Sequence, residues 1–227
     1  MQNGGFDSPM RRRAVLVLSL LASCTPIHRW HAHTTSVPSP PPLGLAELGQ
    51  ESVATLGVVA PAGLQGAALS VSQGLVTAFR EAAPSVRVVP NLETVSVLNE
   101  HGLAPEYGDL ISGFARSGIL ERDRLHRIGS ALGCRYVLLP GLGALDQAMI
   151  DRFDFSGLKV VQRRITTLRL WLQLWDSHTG RMLWESSGEA TVATELLRPE
   201  RTVPLEGMAR RLWLRMLRDG LLERRSQ

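Results

Sequence analysis

Lysine is nearly missing from this 227-residue chain: Lys159 is the only one, and the remaining basic residues are arginine. No basic run is interleaved with aromatic residues, which argues against a nucleic-acid surface. Cysteine is almost as scarce, with only Cys24 and Cys134, too few for a disulfide framework. Fold stability must therefore come from packing, and Cys134, at the head of an apolar run ending in Leu139, reads as a buried structural thiol. Catalytic signatures are lacking too. There is no Gly-x-Ser-x-Gly elbow, no His-Glu-x-x-His helix and no phosphate-cradling glycine loop with lysine. Gly141-Leu-Gly143 follows a strand without opening a helix, and His101, His126 and His178 stand apart. The acidic group Asp146, Asp151 and Asp154 lacks the spacing and the glycine of a calcium loop. No catalytic residue, metal or cofactor is assigned, and the chain reads as non-catalytic.

What is present begins at the N-terminus. Arg11–Arg13 precede an apolar stretch, Ala14–Leu21, that is too short for a permanent membrane helix, and then Leu21-Ala22-Ser23-Cys24. This is the order of a bacterial lipoprotein signal, with acylation expected on Cys24. Met10, directly before the arginines, offers an alternative start to residues 1–9. Residues 1–23 carry three Arg and one Asp, so their removal lowers the formal net charge from +4 to +2. Thr25 after the cysteine, in place of Asp, fits the outer membrane.

Three segments follow: a signal at 1–23, a lipidated Pro-rich tether at 24–50 and a folded domain at 51–227. Ser36–Leu43 holds four prolines and reads as an extended spacer. His28, His31 and His33 fall inside the tether, where the ordering cost opposes metal binding. The domain reads as a strand at Val53–Ala60, a helix at Gly63–Ala83, a strand at Val86–Val89 and a short helix capped by Asn91. Further helices fall around Tyr107–Ala115 and Leu120–Leu132, closed by Gly133. Cys134–Leu142 is the next strand. Ile165–Trp175 alternates strictly, Leu168, Leu170, Leu172 and Leu174 against Arg169, Trp171, Gln173 and Trp175. The turn Asp176–Gly180 sends the chain back through Met182–Val192, and an amphipathic helix spans about Pro204–Leu222, with Arg211, Arg215 and Arg218 along one side. The expected class is α/β (α+β): a single three-layer-like domain, a mixed sheet of about five strands, a C-terminal antiparallel hairpin and flanking helices.

Ala131–Gly141 and Leu172–Glu185, with Leu132-Gly133, Gly141, Asp176, Thr179, Gly180 and Trp184, resemble the CsgG-type envelope lipoproteins and the amino-terminal domain of the Tol-Pal β-propeller protein. That resemblance implies a lipid-anchored protein on the periplasmic face of the outer membrane. The function it implies is a scaffold or regulatory role, holding another envelope protein in an assembly, secretion or cell-wall machine. Two alternatives stand beside it: a subunit of an oligomeric outer-membrane pore, and an envelope hydrolase. A pore subunit needs hairpin strands of about nine to eleven alternating residues. The one interval with room, Asp146–Arg164, reads as a polar loop, which counts against the pore. For partner binding the candidates are Arg169, Trp171, Gln173 and Trp175, tryptophan and arginine being enriched at binding hot spots. The competing expectation is that a helix of the same domain covers that face. The arginine stripe reads as a solvated face, with contact to anionic headgroups or to a partner as the other option.

Overall fold

The computed structural model describes residues 30–38, 45–153, 160–195 and 203–222. The alternation of the long strand organises them, because each of its faces finds its own helical cover. The elements are β1 (Trp30–Pro38), α1 (Leu45–Gln50), β2 (Val53–Thr55), a 3-10 helix (Ala62–Ala67), α2 (Ala68–Ala82), β3 (Val88–Val89), α3 (Asn91–Glu100), α4 (Ala104–Ser117) and α5 (Arg122–Leu132). Then come β4 (Tyr136–Phe153), β5 (Val160–Asp176), β6 (Arg181–Glu195), α6 (Leu205–Leu217) and a π-helical turn (Arg218–Leu222). One mixed sheet has the order β1-β6-β5-β4-β2-β3, parallel only where β2 meets β3 and β4. It is the expected α/β architecture with six strands in place of about five.

All four leucines of β5 are buried against α2 and α6. The two helices approach closely because Gly74 has no side chain: a Cβ there would lie 2.9 Å from the Arg210 backbone nitrogen. Trp213 is fully buried between them and donates its ring N–H to the Val71 carbonyl at 3.1 Å. On the opposite face, α3, α4 and α5 bring Leu98, Leu110, Phe114, Leu125 and Ile128 onto Val137, Leu139 and Trp175. The sheet is thus a middle layer with apolar residues on both sides, as a sheet covered on both faces requires.

Local signals account for most boundaries. Gly133 ends α5 at φ 61°, in the left-handed region that favours glycine. The Glu121 side chain caps the start of the same helix by accepting from the Asp123 N–H. At the β5–β6 turn the Asp176 carboxylate accepts from the backbone N–H groups of His178 and Thr179, and Gly180 takes φ 70°. Asp176 also pairs with Arg135 at 3.1 Å. Cys134 is buried, and burial pushes its thiol up to about 11, partly opposed by Arg87. It is protonated at neutral pH.

Several expectations are corrected. The 24–50 tether is not structureless throughout: Trp30–Pro38 pairs residue for residue with β6, and Leu45–Gln50 is helical. Its alternation of Trp30, Ala32, Thr34 and Ser36 with His31, His33 and Thr35 is a strand pattern that the prolines downstream obscured. Of the interval Asp146–Arg164 expected as a polar loop, Asp146–Phe153 and Val160–Arg164 are strand, paired out to Phe153 opposite Val160; residues 154–159 lie outside the described residues. Backbone ladder bonds need no apolar face, so polar composition does not reveal a strand that leaves the core. Asn91 is not the cap of α3: Pro90 holds that position. The regular part of β2 stops at Thr55, although the Leu56 and Val59 N–H groups still reach the Leu138 and Pro140 carbonyls of β4. The Gly57 N–H between them turns to the Tyr107 hydroxyl at 2.8 Å.

Leu172 is fully buried on the helix-packed face. Leu172→Ala is expected to lower the unfolding free energy by about 2–5 kcal/mol in urea titrations. At Asp176, burial would raise the carboxyl. The Thr179 and His178 N–H groups and the Arg135 guanidinium outweigh that and hold it below its ordinary value. A depressed carboxylate contributes stability that is present above the unfolded-state pKa and lost as pH falls through the folded one. The wild type should therefore lose stability on acidification from about pH 4 downward, and Asp176→Asn should flatten that part of the profile in pH-dependent thermal melts.

Candidate interaction surface

The four candidate residues of β5 alternate onto the face away from α2 and α6, and that face is only half clad. At the end near the turn, Trp175 is 5% exposed and Gln173 8%. The Trp175 ring N–H donates to Gln173 Oε1 at 3.1 Å, and Gln173 Nε2 donates to Glu185 at 3.2 Å. These two residues take the self-burial alternative, covered by the helices of their own domain. Trp171 is half-buried, its ring centroid 5.7 Å from that of Phe114 of α4. It lies flat across Gly141 of β4, in the space a side chain there would occupy. Arg169, one position further along this face, is exposed and paired with Glu189 of β6.

Beyond Trp171 the register shows what shares the open half of this face. One rung runs His33, Glu189, Arg169 and Ala144; the next runs His31, Thr191, Thr167 and Asp146. His31, His33 and Arg169 are exposed. The result is a polar sheet face bounded by Phe114 and Trp171. Sequence reasoning reached Arg169 and Trp171 but missed His31, His33 and Glu189, because their adjacency depends on a β1–β6 pairing between segments about 150 positions apart. Among the described residues, no group of three or more metal-ligating side chains comes together. Asp146 is on β4 at the open face and Asp151 is on the same strand; Asp154 and the acylation candidate Cys24 lie outside the described residues.

The arginine stripe of α6 and the turn after it is not a simple solvated face. The Arg211 guanidinium sits over the Trp30 ring, 5.8 Å from its centroid. Arg215 donates to the Ala32 carbonyl at 2.8 Å and pairs with Asp219, whose carboxylate also accepts from Thr34. Arg218 lies 3.7 Å from Glu81 of α2. Two of the three arginines hold β1 against the body.

No family model matches the chain, and no curated protein matches it. Solved structures do. The chain is similar to the PelC dodecamer of Paraburkholderia phytofirmans at 14% identity and a TM-score of 0.48, covering 82% of this chain and 95% of that one. It is also similar to the lipoprotein GNA1162 of Neisseria meningitidis at 14% identity and a TM-score of 0.45, covering 74% of this chain and 99% of that one. No helix among the described residues is long and apolar enough to cross a membrane.

The Gly141–Trp171 contact sets the rim of the open face and is testable. A Cβ at Gly141 would fall inside the Trp171 ring, whereas one at Gly143 meets nothing closer than the Arg169 carbonyl at 3.6 Å. Gly141→Ala should cost about 1–3 kcal/mol in chemical unfolding through overpacking, and Gly143→Ala much less.

Proposed function

We propose that this protein is a lipid-anchored, non-catalytic scaffold of the bacterial envelope, which binds another envelope protein through the open polar half of its sheet. The observation carrying this reading is the uneven cladding of one sheet face. Helices seal Gln173 and Trp175 beneath them, while Arg169, His31 and His33 stay exposed on the strands alongside. A face left bare and lined by adaptable hydrogen-bonding groups suits a protein partner, with half-buried Trp171 at its rim as an apolar anchor. The N-terminal Arg–apolar–Leu-Ala-Ser-Cys signal supports acylation at Cys24 and placement on the periplasmic face of the outer membrane. The CsgG-type resemblance belongs to this proposal and supports an assembly or secretion role.

A pore subunit is the second reading, favoured by one observation: the long β4–β5 hairpin exists. Its described outer part argues against a lipid-facing barrel wall. Arg164 shares a face with Met149, and Arg163 shares the other with Ile150, so neither face offers the continuous apolar band such a wall needs.

Photo-crosslinking probes at His33 and Arg169 of the acylated protein, in its native envelope, test the proposal. A discrete adduct to one envelope protein from both positions, with none from buried Trp175, is the expected outcome. Adducts only between identical copies would replace the scaffold by a homo-oligomer, and no adduct from either exposed position would remove the open face as the binding surface.

A further inference from the structure

The chain has six histidines, and the fold brings two of them together from segments about 50 positions apart. His126 lies on α5 and His178 in the β5–β6 turn, their ring centroids 5.7 Å apart and their planes inclined at 67°. Both residues are exposed, and no hydrogen bond within the described residues engages either ring. The backbones that carry them are fixed. Arg122, His126 and Gly129 recur at i, i+4 and i+7, so they share the face of α5 that meets the turn. At Gly129 a Cβ would collide with fully buried Ser177, whose hydroxyl donates to the Cys134 carbonyl at 3.0 Å. At Gly180 a Cβ would lie 2.7 Å from Arg122 Cγ. His126 thus sits between two points at which helix and turn touch. The Asp176 carboxylate holds the His178 N–H at 2.8 Å, which fixes the other backbone. Two imidazoles with uncommitted nitrogens are therefore presented side by side on rigid supports.

We infer that His126 and His178 form a two-imidazole site for a late first-row divalent cation such as copper(II) or zinc(II). Two imidazoles on one tetrahedral cation, each bound at ~2.0–2.1 Å, hold their ring centroids about 5–5.5 Å apart. The spacing of 5.7 Å lies just beyond that, and small turns of the two exposed rings bring one nitrogen of each to a common point. Neutral imidazole suits copper, zinc and nickel, whereas calcium and magnesium require several oxygen donors. Asp176, two residues before His178, is not such a donor: the turn N–H groups and Arg135 occupy its carboxylate. The protein fills two coordination positions and leaves the rest to water or to a donor from a second molecule. Once bound, the cation joins α5 to the turn at the helix-sealed end of the sheet. The site depends neither on acylation of Cys24 nor on the open polar face.

Copper(II) is the probe, being the strongest binder of its series. His28, His31 and His33 offer competing imidazoles near the N-terminus, so the full chain carries His28→Asn, His31→Asn and His33→Asn. Expected is one copper per chain at micromolar free copper, with an electron spin-echo envelope signal of two equatorial imidazoles. Adding His126→Asn or His178→Asn, both at exposed positions, should leave the circular dichroism unchanged and reduce the signal to one imidazole. Each should also weaken copper retention by about 10–100-fold, the cost of disturbing even an outer-shell partner of a metal ligand. Copper held only at millimolar concentration would overturn the site. So would a signal that neither replacement alters.

Discussion

The two-faced alternation of β5 is the constraint on which the remaining structure depends. Leu168, Leu170, Leu172 and Leu174 send one face into the layer of α2 and α6, and Trp171, Gln173 and Trp175 send the other toward α4 and α5. A slip of one residue against β4 or β6 would exchange the two sets and place the Gln173 amide among the leucines, without its partners. Both neighbouring ladders are held to this register. Gly141 is empty where the Trp171 ring must lie, and the Asp176 turn ties β5 to β6 at one end. Three layers follow from one strand, because each of its faces is apolar enough to need cover.

Arginine does the polar work that composition left to it. In this chain it grips in place rather than forming a diffuse basic surface. Arg135 is clamped to Asp176 where β4 begins, Arg210 reaches Glu81 between the two helices of one layer, and Arg211 and Arg215 secure β1. A planar guanidinium can cover an aromatic ring or reach a carbonyl while its stem packs, and a lysine does this less well. Exposed ion pairs of this kind contribute little each. Their effect is geometric: β1, an edge strand with no formal charge of its own, is fixed by side chains from another element.

The two ends of the sheet differ. One end is closed by the Asp176 turn and sealed by helices on both faces; at the other, β4 and β5 stay paired for three rungs past the described end of β6 at Glu195. The N-terminal strand enters at the open end.

The sequence by itself determined the strongly periodic elements and the turns with fixed chemistry. α5 closing on Gly133, the alternation of β5, the Asp176–Gly180 turn and the buried face of α6 each depend on neighbours within a few residues, so local pattern is enough. Of the candidate site, Arg169 and Trp171 were legible as polar-face residues of β5. Whether that face was open was not, since it depends on where α4 stops. Tertiary structure alone decided that Trp30–Pro38 is a strand, because its partner β6 lies about 150 residues away. It alone decided that Asp146–Phe153 and Val160–Arg164 are paired strand, because ladder hydrogen bonds form between backbones and leave no signature in the side chains. For the same reason the grouping of His31, His33, Glu189 and Arg169 exists only once β1 has docked.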